Sequence, residues 1–200
     1  GVDKAGNGRE LHNLRLLDLP LENAALALQA FSLLDLDWQP SRLSSALENT
    51  YLSGRLERRV LEYRGKTLTL LLDVGHNPHA AEFLANRFRA NPIAGRRLAV
   101  FGLLADKDLL GVINAMHGEF AHWAVVDLPS VRSRPAAELQ HELLKTGALV
   151  SQYRSVAEAL EAQCDEAING DEVLVFGSFY CVAEALAWLA QKGAENGIAG

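Results

Sequence analysis

"LTLLLDVGHNPHAAEFLANRF", residues 68–88, decides the fold of this chain. An apolar, β-favouring run enters at Leu68 and stops on Asp73; Val74, Gly75 and His76 follow, and Asn77 and Pro78 open a stretch with helical spacing. The run is apolar on consecutive residues rather than alternate ones, so the strand has to be covered on both faces, as in parallel sheets packed between helices. Asn77 is a good N-cap, and Pro78 suits the first helical position because its missing N–H would have no partner there.

Outward from this unit the same pattern repeats. "RVLEY" and "TLTLLLDV" flank Arg64-Gly65-Lys66 and read as a hairpin. Apolar strands over 97–104, 122–128, 148–153 and 172–179 then alternate with helices over about 108–118, 135–146, 155–168 and 180–192. The pattern predicts an α/β domain: a Rossmann-like, doubly wound, mostly parallel sheet with an antiparallel edge hairpin strand. The N-terminal quarter reads differently. A short strand is expected over 14–19, an alanine-rich helix over 23–34, a break at Trp38 and Pro40, and a second helix over 42–50 capped by Ser41. The polar "TYLSGRLERR" marks a boundary, giving a mainly helical segment 1–54 and an α/β domain 55–200.

Composition bounds the function. Two hundred residues, 49% of them hydrophobic, can bury a proper core, and the net charge of −6 argues against a general nucleic-acid binder. Cys164 and Cys181 lack a CxxC or metal-site spacing and suit a reducing cytoplasm. With no signal-peptide pattern and no apolar run of about 18 residues, a cytoplasmic protein without membrane contact is expected. The glycine-rich opening "GVDKAGNGRE", without a start methionine, suggests a piece of a longer protein.

In open parallel sheets ligands bind beyond the carboxyl ends of the strands. Those ends here carry Asp73 to Asn77, Gly102 with Asp106-Lys107-Asp108, Asp127 with Ser130, Arg132 and Arg134, and Gly177-Ser178. Asp73 can accept from a hydroxyl such as that of ribose, His76 beside a helix N-terminus can donate to a phosphate, and Gly75 lets the backbone come close. Equally, Asp73 and Asn77 can merely tie down the strand-to-helix turn. Gly65-Lys66-Thr67 imitates the tail of the phosphate-binding motif G-x-x-x-x-G-K-S/T, but Val60 stands where the first glycine belongs and a strand follows instead of a helix. No G-x-G-x-x-G occurs, which counts against a nicotinamide oxidoreductase. Taken alone, Asn23 reads as a helix N-cap, Arg55 as a linker charge, Lys107 as one half of a surface ion pair and Ser178 as a helix cap. His117, His122 and His141 share no spacing, and Trp123 and Trp188 fit helix–sheet packing.

At Asp73, His76, Asn77, Pro78 and Ala80 the chain resembles the folylpolyglutamate synthase/dihydrofolate synthase family of the Mur ligase superfamily, in its C-terminal part. "LPLENAALAL" (19–28), "SGRLE" (53–57), "GLLADKD" (102–108) and "VLVFGSFYCVAEAL" (173–186) agree in order. The resemblance implies ATP and Mg²⁺ as cofactors, with the phosphate-binding loop and metal ligands in an N-terminal part and residues 1–54 as the tail of that ATPase domain. It implies L-glutamate and a folate or dihydropteroate as substrates, an acyl-phosphate route, a monomer when intact, and inactivity of this piece by itself. By resemblance Asn23 contacts adenine, Arg55 the phosphates or ribose, Asp73 the ribose, and His76 lies near the phosphates. Asp106, Lys107, Asp108 and Ser178 belong to the glutamate site, with His76 and Lys107 as the catalytic pair. Ser53, Gly75, and Tyr180-Cys181 depart from the usual pattern. A ligase for a cell-wall precursor and a stand-alone anion or amino-acid binding module remain as other readings.

Overall fold

The computed structural model describes residues 1–14, 17, 19–34 and 36–193. The chain divides into two compact units, Gly1–Arg55 and Leu56–Gly200. In the first unit lie α1 (Leu21–Ser32) and α2 (Pro40–Glu48). The expected strand over 14–19 falls on residues of which 15, 16 and 18 are outside those described. Two capping expectations are corrected. Gln39 is the N-cap of α2 and Pro40 opens it, so Ser41 is already helical; proline's fixed φ favours that first position. Pro20, not Asn23, precedes α1, and the Asn23 amide donates back to the Pro20 carbonyl at 3.0 Å. The N-terminal loop is fastened to α1 by Gln29 and Ser32, both of which donate to the Val2 carbonyl.

The second unit is a six-stranded sheet. Its strands are β1 (Glu57–Tyr63), β2 (Lys66–Asp73), β3 (Arg97–Phe101), β4 (His122–Val126), β5 (Val150–Tyr153) and β6 (Glu172–Phe176). Their order is β1-β2-β6-β3-β4-β5; β1 pairs antiparallel with β2 and every other pairing is parallel. Arg64 and Gly65 turn the hairpin with φ of 50° and 77°, the conformation whose twist matches that of the flanking strands. Between and after the strands run α3 (Pro78–Ala90), α4 (Leu109–Ala115), α5 (Ala136–Leu144), α6 (Val156–Glu166) and α7 (Phe179–Gln191). The strand–helix alternation expected from the apolar runs is the alternation observed, with strands shorter at their ends.

Side chains of each strand alternate between two cores. Leu68, Leu70, Leu72, Val173 and Val175 pack against Val156, Leu160 and Cys164 of α6 and Val182, Ala185 and Trp188 of α7. Leu71, Leu174 and Phe176 pack against Leu84 and Phe88 of α3, Val112 of α4 with Met116 at its C-cap, and Leu139 of α5. The sheet is thus covered on both faces, which is why its central strands carry no polar alternation. Trp123 and Trp188, each 3% exposed, belong to this packing, as the sequence suggests. Each fully buried Val, Leu or Phe contributes about 1.5–3 kcal/mol.

At the strand starts, charge is neutralised within the domain. Glu172 lies between Arg58 (2.8 Å) and Arg97 (3.1 Å). Asp171 accepts from the Arg96 amide (2.7 Å) and guanidinium (2.8 Å). Burial alone would raise the Asp171 carboxyl; the bonds from Arg96 and Ile168 outweigh it and hold the group below its ordinary range. His122, which shares no spacing with the other histidines, bridges Glu166 (2.7 Å) and Ser151 (2.9 Å). Lys66 of the false phosphate motif donates its ammonium to the carbonyls of Cys164 (2.7 Å), Asp165 (3.0 Å) and Ala167 (2.8 Å), closing the C-terminal end of α6.

Candidate functional site

The parallel strands end level. Asp73 of β2 is in register with Phe176 of β6, and Phe176 with Phe101 of β3. From these neighbouring ends the chain leaves in opposite directions: β6 passes to α7 on one face, β2 and β3 to α3 and α4 on the other. Such reversals open a crevice at the edge of a doubly wound sheet. Asp73, His76, Asp106, Lys107, Asp108 and Ser178 all follow strands that end on this edge.

Asp73 is buried, and both its carboxylate oxygens take backbone N–H groups. Oδ2 accepts from Leu56 at 2.9 Å and Oδ1 from Gly75 at 2.6 Å. The carboxylate ties the entry to β1 to the turn after β2, and Leu56 is held at φ 45°. That is a left-handed backbone, which a leucine adopts only when its surroundings impose it. Gly75 is buried. A Cβ there would come within 2.7 Å of Asp73 Oδ1 and 3.0 Å of the Ala80 Cβ. The missing side chain makes room for Asp73 and Ala80.

His76 Nδ1 lies 2.9 Å from the Val74 carbonyl. A carbonyl only accepts, so Nδ1 carries the proton. In the neutral ring Nε2 is then an acceptor; it donates to a phosphate only as imidazolium. Asn77 caps α3 as expected, its side chain accepting from the Ala80 amide at 2.8 Å.

The loop after β3 is held by the loop after β4. Asp106 accepts from Arg132 (2.8 Å) and pairs with Lys107 (3.1 Å). Hydrogen bonds from Arg132 and then Lys107 lower its carboxyl to about 2. The group is exposed, so water screens the pair and its contribution to stability is small. Asp108 caps α4 through the Gly111 amide at 2.9 Å. Arg134 donates to the carbonyls of Ala105 (2.6 Å) and Lys107 (2.8 Å). Asp127 caps α5, accepting from Ala136 at 2.8 Å.

Ser178 is buried, and its hydroxyl accepts from the Cys181 amide (3.1 Å) and donates to the Cys181 sulfur (3.3 Å). The Cys181 thiol in turn reaches the Gly102 carbonyl at 3.5 Å, and burial pushes it up to about 12. Gly177 stands at φ +104°, with the Gly102 carbonyl oxygen 2.4 Å from where a Cβ would be. The loops after β3 and β6 therefore touch at a position only glycine can fill. Phe179 and Tyr180, in the first turn of α7, are exposed.

Asn23 and Arg55 belong to the first unit. Asn23 is exposed in the first turn of α1, and Arg55 is half-buried, its amide donating to the Leu52 carbonyl at 3.0 Å. Among the described residues, no group of three or more His, Cys, Asp or Glu is arranged to hold a metal ion, and no helix is long and apolar enough to cross a membrane. What sequence reasoning misses is the clamp formed by Arg134, whose acceptors lie 27 and 29 residues away and leave no local signal.

A covered, mostly parallel sheet whose strand ends carry these groups defines a Rossmann-like domain with a polar edge at the strand ends. Residues 54–179 match the Mur ligase, glutamate ligase domain family, and the chain belongs to it. One relative is the dihydrofolate synthase/folylpolyglutamate synthase of Escherichia coli strain K12, 35% identical over 176 residues, 88% of this chain and 40% of that protein. Among solved structures, E. coli FolC in complex with DHPP and ADP has a TM-score of 0.79 at 34% identity, over 92% of this chain and 42% of that one. A bifunctional folylpolyglutamate synthase/dihydrofolate synthase with Mn, AMPPNP and L-glutamate bound gives a TM-score of 0.74 at 34% identity, over 91% and 42%. The chain spans about two fifths of the length of these relatives.

Proposed function

We propose that this chain is the C-terminal part of an ATP-dependent ligase joining L-glutamate to dihydropteroate, to tetrahydrofolate or its polyglutamates, or to both. The observation that carries the reading is the edge where Asp73, His76 and the loop Asp106 to Asp108 follow neighbouring strand ends of a glutamate ligase domain. Relatives that hold ADP with DHPP, or AMPPNP with L-glutamate, support it.

A carboxylate oxygen of the pteroate or folate takes the terminal phosphoryl group of ATP, giving an acyl phosphate and ADP. The glutamate amino nitrogen, once deprotonated, attacks the acyl carbon. The carbon–oxygen bond to phosphate breaks, and inorganic phosphate leaves with the electron pair. Mg²⁺ would neutralise phosphate charge, held by ligands in an N-terminal ATPase part that also carries the phosphate-binding loop; residues 1–54 are that domain's tail and 55–200 the ligase domain. Without that part this piece is inactive, because loop amides and metal supply most of the charge stabilisation in phosphoryl transfer.

Within the chain, Asp73 fixes the turn at the nucleotide end and lies towards the ribose. His76 lies near the phosphates. Arg55 meets the phosphates or ribose, and Asn23 the adenine. Lys107 attracts a carboxylate of the incoming glutamate, with Asp106 holding the ammonium and Asp108 fixing the helix behind it. Ser178 bears on glutamate through the start of α7, which it caps, since its hydroxyl is buried. The intact enzyme works as a cytoplasmic monomer on small molecules.

The test is ADP release by the enzyme carrying this chain, with dihydropteroate or folate and L-glutamate present singly and together. Release that needs a pteridine acid and glutamate supports the reading. Release driven by a cell-wall precursor, or tight calorimetric binding of glutamate by the isolated chain, overturns it in favour of the other ligase or of a binding module.

A further inference from the structure

We propose that Arg134 is a positioning residue that sets the shape of the loop 103–108 and so the aim of Lys107 at glutamate; this rests on the reading just given. The Arg134 side chain is 14% exposed. Its Nη2 donates to the carbonyls of Ala105 and Lys107, on either side of Asp106, at 2.6 and 2.8 Å. Two carbonyls two residues apart are thereby turned inward onto one cation. The Asp106 and Lys107 side chains are left to face outward, where they pair at 3.1 Å. At its other end the guanidinium pairs through Nη1 with Glu138, one helical turn along on α5.

Main-chain bonds join the same two loops. The Arg134 amide donates to Leu103 (2.9 Å), the Ala105 amide to Arg132 (2.8 Å), and Leu104 bridges Ser133. Leu103 is buried and Leu104 packs against the core, whereas Ala105 and Asp106 are exposed, so apolar burial anchors the start of the segment and the polar clamp sets the conformation of its tip. A planar, multi-donor head suits the task; a lysine ammonium is a point charge without the fork.

The test has two arms. In the chain itself, Arg134→Gln should speed amide hydrogen exchange over 103–109 by about tenfold or more and leave α6 and α7 protected. Unchanged exchange overturns the clamp. In the enzyme carrying this chain, Arg134→Gln should raise the glutamate KM about tenfold, with the ATP KM and the kcat at saturating glutamate changed less than about twofold, and Arg134→Lys should recover part of the loss. An equal fall in kcat for every substrate overturns positioning. Should Arg134→Gln not fold, Glu138→Gln releases only the outer anchor and should give the same split in smaller measure. Lys107→Ala separates the two readings. If it raises the glutamate KM and Arg134→Gln does not, the positioning role alone fails; if neither does, the loop is not the glutamate site.

Discussion

Replacing Lys66 by methionine removes one charge and keeps nearly the same stem. The ammonium serves three carbonyls at the end of α6, between 2.7 and 3.0 Å. One hydrogen bond from a charged donor contributes about 1.5–3 kcal/mol net, and a cation at a helix C-terminus about 0.3–1, up to about 2 when partly buried. The three acceptors share one head, and the site is only half-buried, so water takes over part of the loss. A cost of about 2 kcal/mol follows, which is roughly 4–8 °C in the melting midpoint of a domain this size. Urea unfolding of the chain in a Trp38→Phe background reads it through Trp123 and Trp188, which lie in the second unit. Lys66→Gln, shorter but still a donor, should lose less. A Lys66→Met protein with an unmoved midpoint but weakened nucleotide binding would refute the capping account and restore Gly65-Lys66-Thr67 as a phosphate site.

Asp73→Asn keeps the size but replaces one N–H acceptor by a donor facing a backbone amide. We expect a loss of about 1–3 kcal/mol in unfolding free energy and a raised nucleotide KM in the intact enzyme; an unchanged KM would take Asp73 out of the site. Lys107→Ala should chiefly raise the glutamate KM, and an effect confined to ATP would contradict its role. Burial pushes the thiols of Cys164 and Cys181 from 9.0 up to about 12, and burial followed by nearby Asp165 raises the Tyr63 phenol from 10.0 to about 12. Above pH 9 the unfolded chain therefore holds fewer protons than the folded one, so stability is intact below pH 9 and falls as pH climbs towards 12. Urea melts from pH 8 to 11 check this: Cys164→Ala with Cys181→Ala should flatten the decline, and an equal slope in both proteins would contradict it.

The order of elements in the second unit was legible because it rests on burial. Uninterrupted apolar runs at Leu70–Leu72 and Val173–Phe176 signal covered strands, and the structure covers them. The edge carrying the polar tips could likewise be read, since Asp73, Asp106 and Ser178 each end an apolar run. Strand order could not be read. Nothing local in "EVLVF" says that the last strand lies between β2 and β3, because that follows from which pairings close both cores together. Nor could the fate of individual polar groups. Lys66 finds its three acceptors 98 to 101 residues away, and Gly75 makes room for a neighbouring carboxylate.

The strand made last is the sheet's third. Until Glu172 to Phe176 emerge from the ribosome, the hairpin and the β3-β4-β5 ribbon have no shared edge to join them. Leu68–Leu72 and Leu98–Phe101 then present open, apolar strand edges of the kind that recruit other chains. A message cut short a few codons before Glu172 therefore yields not a slightly smaller domain but two sticky halves, and disposal by proteases is the expected fate of such a product.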